Sequence, residues 1–209
     1  MMGNTFPPVF SRRDLLRGAS MFVAVSGAPL NALTLAIPPI HYPTAAQLRL
    51  IRDVGQQVIP RSETAGAGEV GADAFVILAL AHGLEGARQP LSATDQAKYA
   101  AHLLADGSVD HLGWLETELN ARAKGRFLAL PAPTRTTVLA ALDTEAFATR
   151  DPHPWKTLKS LILTGYYTSE TGGSKELEYD AVPGHFDPDV LVTPATRASS
   201  TDWTALAFG

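Results

Sequence analysis

Apolar residues recur at helical spacing through the middle of the chain and predict a series of α-helices. The first is preceded by Thr44-Ala45-Ala46-Gln47, which matches a capping box, and it ends at Pro60. The second covers Asp73 to Leu84 and is almost continuously apolar. That continuity predicts that it is the central and most buried helix of the fold.

Four further helices are predicted downstream of Ser92. The third helix runs from Ser92 to about Leu104, and the fourth runs from about Val109 to Lys124. The fifth is capped by Thr134, and its inward-facing residues are Val138, Leu139, Leu142 and Phe147. The sixth begins at Asp151-Pro152. Alternating strand patterns are scarce, and Ala and Leu dominate the composition. The predicted fold is therefore all-α, a compact bundle of about five or six helices followed by an irregular C-terminal extension.

The same pattern divides the chain into four parts. They are a signal segment (1–36), a Pro-rich linker (37–43), a helical domain (44–168) and an irregular partner-binding extension (169–209).

The stretch from Trp155 to Phe186 combines the most unusual residues of the chain. Trp155, Leu158, Ile162 and Tyr166 share one helical face, and core packing explains the first three. The glycines that follow, at 165, 172, 173 and 184, are expected to permit backbone shapes that other residues avoid.

The loop and tail also bring aromatic rings of the kind that anchor interfaces. The candidate partner-interface residues are Tyr166, Tyr167, Thr168, Ser169, Glu170, Tyr179, Pro183, Gly184, Phe186 and Trp203. The alternative is a solvated tail that is pinned to its own domain.

Charge and cysteine content exclude several classes of protein. The formal net charge is −4, and residues 1–36 carry +2 of it, which leaves −6 for residues 37–209. No basic face is therefore predicted for nucleic acid. The chain has no cysteine, which excludes disulfides, thiolate zinc sites, Cys-ligated iron–sulfur clusters and covalently attached c-type haem.

A paired-arginine sequence lies near the N-terminus. Arg12 and Arg13 precede Asp14-Leu15-Leu16, and a moderately apolar segment rich in Ala, Gly and Ser follows. This order resembles a twin-arginine export signal, which predicts a periplasmic protein. An amphipathic N-terminal helix is the alternative. The signal could be cleaved after either of two small-x-small patterns, at 34–36 or at 26–28. It could also be retained as an uncleaved anchor.

No catalytic constellation is evident in the sequence. Residues 66–71 spell G-x-G-x-x-G, but a helix and a polar loop precede them instead of the strand that a dinucleotide site needs, so a helix–helix loop is preferred. His82 is expected to be a hydrogen-bonded core residue. His102 and His111 lack metal-ligand spacing and are expected at the surface or at helix ends. Neither catalytic nor cofactor- or metal-binding residues are predicted.

Three segments together resemble the gluconate 2-dehydrogenase subunit 3 family. They are LRLIRDVGQQVIPRSETAGAGEVGADAF, GRFLALPAPTRTTVLAAL and, most specifically, WKTLKSLILTGYYTSETGGSKELEYDAVPGHF followed by SSTDW. The sequence departs from the family after Phe75, where Val-Ile replaces a common Ile-Asp, and at His185-Phe186, which replaces a usual Arg-Tyr.

The resemblance implies a helical, periplasmic, non-catalytic small subunit without a cofactor of its own. Its partner would be a large subunit that binds FAD and oxidises a sugar or polyol, and a cytochrome c subunit carrying haem often takes the electrons onward at the membrane. The small subunit would supply the export signal and support maturation of the large one. Two other readings stay open: a free-standing periplasmic binding or structural module, and an independent enzyme that uses His82 or His153.

Overall fold

The computed structural model describes residues 43–179, 189, 191–193, 196 and 198–200. The α-helices in this part of the chain are α1 Ala45–Val58, α2 Ala72–His82, α3 Ala93–Lys98, α4 His111–Arg122, α5 Ala132–Phe147 and α6 Pro154–Tyr167. A π turn at Gly172–Glu176 leads into strand β1 (Leu177–Tyr179), which pairs in parallel with β2 (Ala198–Ser200). The predicted all-α bundle is confirmed for the described residues. The predicted signal segment and all of the predicted linker except Pro43 lie outside them.

The predicted starts of α1 and α3 are confirmed. Thr44 Oγ1 accepts a hydrogen bond from the Gln47 amide at 3.2 Å, and Gln47 Oε1 accepts one from the Thr44 amide at 2.9 Å. Ser92 caps α3 through one such bond, because its Oγ accepts a hydrogen bond from the Asp95 amide. However, α3 ends at Lys98 and not near Leu104, because a 3₁₀ turn follows and Leu103 then pairs with Val109 in an antiparallel bridge.

Two predicted helix starts are wrong. Pro131 is the N-cap of α5, so Thr134 lies within the helix. Pro133 fits in the first turn because backbone N–H groups there have no intrahelical partner. Helix α6 is capped by His153, not by Asp151. The sequence has two X-Pro pairs here, Asp151-Pro152 and His153-Pro154. The His153 ring packs edge-on against Trp114 with centroids 5.3 Å apart, and this contact fixes the cap at the second pair.

Helix α6, and not α2, is the central helix of the body. It packs against α1, α2, α4 and α5. Its fully buried side chains are Trp155, Leu158, Leu161, Ile162 and Tyr166. By contrast, α2 has half-buried Leu78 and Leu80 on its outer side. A continuous apolar run therefore did not mark the helix with the most neighbours.

Phe147 is also placed differently from its prediction. It is the last residue of α5 and is 53% exposed, while the preceding Ala146 is 1% exposed and faces the core. Lys156 and Lys159 lie over the Phe147 ring, with their ammonium nitrogens 5.6 and 4.9 Å from its centroid. These lysines cover part of the ring that the core does not.

No helix in the described part of the chain is both long and apolar enough to cross a membrane.

Candidate partner interface

The phenol of Tyr166 lies at the junction between the helical body and the segment that follows it. Its hydroxyl is 3.3 Å from Thr64 Oγ1 and donates to Glu176 Oε1, also at 3.3 Å. Thr64 Oγ1 donates a hydrogen bond to the same carboxylate oxygen. Burial raises the pKa of the Tyr166 phenol, and the nearby Glu176 carboxylate acts in the same direction. Thr64, Tyr166 and Glu176 form a polar cluster, called the latch below.

Tyr166 was predicted as an interface anchor, but the structure places its side chain in the core. Only 1% of the residue is exposed. The stripe that begins at Trp155 therefore continues through Tyr166, and all four of its residues pack inward. A partner can reach Tyr166 only through the groups that cover it.

Tyr167 is the exposed aromatic residue of this region. It is 40% exposed, and its ring meets that of Tyr166 edge-on, with centroids 5.2 Å apart and planes at 82°. Thr168 and Glu170 are exposed beside it. Ser169 turns inward, where its hydroxyl donates to the Tyr166 carbonyl at 2.6 Å. The described part of the predicted interface thus presents Tyr167, Thr168 and Glu170 on a backbone held by Ser169.

Gly165 and Gly172 serve close packing, which differs from the predicted need for unusual backbone angles. A Cβ at Gly165 would lie 2.7 Å from Phe75 Cδ1, because α6 and α2 approach closely there. A Cβ at Gly172 would lie 2.1 Å from the Tyr166 carbonyl oxygen. Neither residue has a positive φ. Absence of a side chain, and not left-handed geometry, is what these positions require.

Several predicted residues lie outside the described chain. Arg12, Arg13, Pro183, Gly184, Phe186 and Trp203 are among them, and Tyr179 is described only through its backbone in β1.

A family model for gluconate 2-dehydrogenase subunit 3 matches residues 45–184. The chain belongs to the gluconate 2-dehydrogenase subunit 3 family. The match covers α1 to α6, the latch and β1, so the resemblance seen in three sequence segments is confirmed. Membership in a family of dehydrogenase subunits implies a catalytic partner subunit. Neither the curated proteins nor the solved structures contain a match to this chain.

The glycine-rich loop of this family member is closed by its own side chains. Arg61 pairs with Glu69 at 2.7 Å, and Glu69 accepts a hydrogen bond from the Gly66 amide at 2.8 Å. Gln56 Oε1 accepts from the Gly68 amide at 3.0 Å, and Ala67 is fully buried. The hydrogen bond from Arg61 lowers the pKa of Glu69. A bound phosphate would need backbone N–H donors, but those of Gly66 and Gly68 already donate to the side chains of Glu69 and Gln56. The loop therefore does not fit a dinucleotide.

The histidines in the described part of the chain, at positions 82, 102, 111 and 153, are dispersed among separate elements. His82 is exposed at the end of α2, so its expected core position is wrong. His111 is the first residue of α4, so its expected position at a helix end is confirmed, although it is only 8% exposed and does not lie at the surface. Its Nδ1 lies 2.9 Å from the Val109 carbonyl oxygen. Burial lowers its pKa to about 4. Among the described residues, no group of three or more His, Asp or Glu side chains is placed to hold a metal.

A cavity of about 120 Å³ lies beside His111, between α2 and the start of α4. Ile77, Leu80, Arg88 and Leu104 are among its lining residues. Sequence reasoning missed this cavity and the latch for the same reason: both join residues that are far apart in the chain, and neither leaves a local motif.

Proposed function

We propose that this protein is the non-catalytic small subunit of a periplasmic, membrane-associated dehydrogenase that oxidises a sugar, sugar acid or polyol. Its large partner subunit carries FAD, and a cytochrome c subunit with haem passes the electrons onward. The small subunit supplies a twin-arginine export signal and supports maturation of the large one. The observation that carries this proposal is the family match over residues 45–184.

Features of the chain itself support an accessory role. The described surface next to the latch holds Tyr167 about two-fifths exposed on a fixed backbone, as an aromatic anchor for a partner would be. The glycine-rich loop does not fit a dinucleotide, and the chain contains no cysteine. In this proposal the flavin and haem chemistry belongs to the partner subunits.

The export proposal rests on the residues at the N-terminus. Twin-arginine export carries folded proteins, and a cysteine-free helical domain has little need of this route for itself. A large subunit that folds around FAD in the cytoplasm does require it. The signal of the small subunit then serves both chains.

The test uses co-expression of the tagged chain with the flavoprotein proposed as its partner. Purification through the tag is expected to yield a yellow complex that reduces a dye in the presence of its sugar, while the chain alone is colourless and inactive. Intrinsic flavin absorbance or dye reduction by the lone chain would overturn the accessory role. Replacement of Arg12 and Arg13 by Lys should leave both proteins in the cytoplasm. If the flavoprotein still reaches the periplasm at its normal level, the escort role is wrong.

A further inference from the structure

The small parallel sheet is an incomplete structure within the described residues. β1 and β2 have three residues each, and the sheet contains these two strands. Purely parallel sheets occur almost only where both faces are covered, and two strands alone are marginally stable in water. The main contacts of β1 are with β2 and with the π turn before it, not with the helices. The edge of β1 that faces away from β2 therefore offers backbone groups without a strand partner in the described chain.

The latch fixes the position of that edge. Glu176 directly precedes β1, and its carboxylate is held by Thr64 from the loop after α1 and by Tyr166 from α6. Both contacts tie the beginning of the strand to the body of the protein. Ordering the strand in advance lowers the conformational entropy that a partner must offset on binding.

The charges around β1 select a type of partner. Residues 167–179 contain Glu170, Glu176 and Glu178 against a single Lys175. Glu170 and Glu178 are exposed, and Glu178 lies within the strand itself. A neighbouring strand with lysine or arginine opposite Glu178 would be favoured, whereas an acidic strand would be repelled.

We propose that an extended, basic segment of the catalytic subunit pairs with the open edge of β1, so that the two subunits share one sheet. This proposal rests on the proposed function, because it takes the catalytic subunit as the occupant. Backbone hydrogen bonds supply the pairing, as in other cases of strand addition, and Glu178 selects the charge of the segment.

Hydrogen–deuterium exchange on the full chain, alone and in the purified complex, tests the pairing. Successive N–H groups of a strand point to opposite edges, and the Leu177 amide already donates to the Gly172 carbonyl. Whichever amide of Glu178 and Tyr179 points away from β2 should therefore exchange at least about tenfold more slowly in the complex, because strand pairing removes it from water. Equal exchange rates in a complex that contains flavin would overturn the shared sheet and leave the proposed function intact. A chain that never co-purifies with the flavoprotein would overturn both.

Charge reversal at Glu178 tests the basic segment. Glu178→Lys should raise the dissociation constant of the complex by about tenfold or more at low salt, and the defect should shrink at high salt because charge repulsion is screened. Glu116→Lys, on α4, is the matched control and should bind normally. Protection of the β1 amides together with normal binding by Glu178→Lys would support the pairing and overturn the basic character of the segment.

Discussion

The indole Nε1 of Trp155 donates a 2.7 Å hydrogen bond to Asp143 Oδ1, and this bond joins the first turn of α6 to α5. Lys159 Nζ lies 2.7 Å from the same oxygen. Trp155 is 1% exposed, so Asp143 is the described partner that satisfies its N–H. Burial opposes ionisation of Asp143, but the bonds from Lys159 and Trp155 hold its pKa below the usual value.

Asp143→Ala should lower the free energy of unfolding by roughly 1–3 kcal/mol, because the buried indole N–H loses its acceptor. Asp143→Asn keeps an oxygen for the indole and removes only the charge opposite Lys159. It should cost less, since partly exposed ion pairs contribute about 0–1 kcal/mol. Urea denaturation of the full chain measures both. Equal losses for the two variants would show that the ion pair, and not the indole bond, is the important contact.

Gly165→Ala should destabilise the protein by roughly 1–3 kcal/mol. The added methyl would lie 2.7 Å from Phe75 Cδ1 and 3.1 Å from Phe75 Cβ, so α2 and α6 must move apart. Gly125→Ala is the control, because nothing lies within 4 Å of its added Cβ and its φ is not positive. Its stability should stay the same or rise by up to about 1 kcal/mol. Thermal unfolding would contradict the close-packing account if the two variants behaved alike.

Tyr166 and Tyr167 are adjacent in sequence and should respond in opposite ways to substitution. Tyr166→Ala removes a fully buried ring and should cost about 3–5 kcal/mol of stability, whereas Tyr166→Phe loses only the latch contacts and should cost about 1 kcal/mol. Tyr167→Ala should cost about 1 kcal/mol or less. It should nevertheless weaken the complex with the catalytic subunit by about tenfold or more. Paired melting and binding measurements check this, and normal assembly by Tyr167→Ala would exclude that ring as an anchor.

The buried imidazole of His111 makes stability fall in acid. Its folded pKa is about 4, against about 6.5 for an unfolded chain. Above pH 6.5 the imidazole of His111 is neutral in both the folded and the unfolded state, so protonation costs no stability there. As the pH falls from 6.5 to 4 the unfolded state binds a proton that the folded state does not, so the stability decreases by up to about 3 kcal/mol.

His111→Asn keeps an N–H that can donate to the Val109 carbonyl but cannot titrate in this range. The variant should show a flatter decline of unfolding free energy between pH 6.5 and 4 than the wild type. Burial and the nearby Lys98 also lower the pKa of His153, so some slope should remain. An unchanged profile would mean that His111 does not contribute to acid sensitivity.

Features that depend on neighbours in sequence were predictable from the chain. Thr44 and Gln47 are three residues apart, so their capping box is visible as letters. The choice between Asp151 and His153 as the cap of α6 was not visible, because each precedes a proline. The contact of His153 with Trp114, on another helix, decides between them.

Features that depend on distant residues were misread. The burial of Tyr166 is secured by Thr64, which lies 102 residues earlier, while its glycine and tyrosine neighbours suggested an exposed loop. The central position of α6 also depends on its neighbours. Hydrophobicity alone favoured α2, but Gly165 allows α6 to approach Phe75 closely enough to pack at the middle of the body.

Among the described helices, the central one is also the last to leave the ribosome. α1 must wait for residues that follow it by about a hundred positions before the two can pack. While residues 154–167 remain in the exit tunnel, α1 can pack against α2 and α4, but the faces of these helices that contact α6 stay uncovered. Native contacts of such sequence separation form slowly. Synthesis of nearly the entire body therefore precedes its collapse, and a chain truncated before residue 154 should remain an open substrate for proteases.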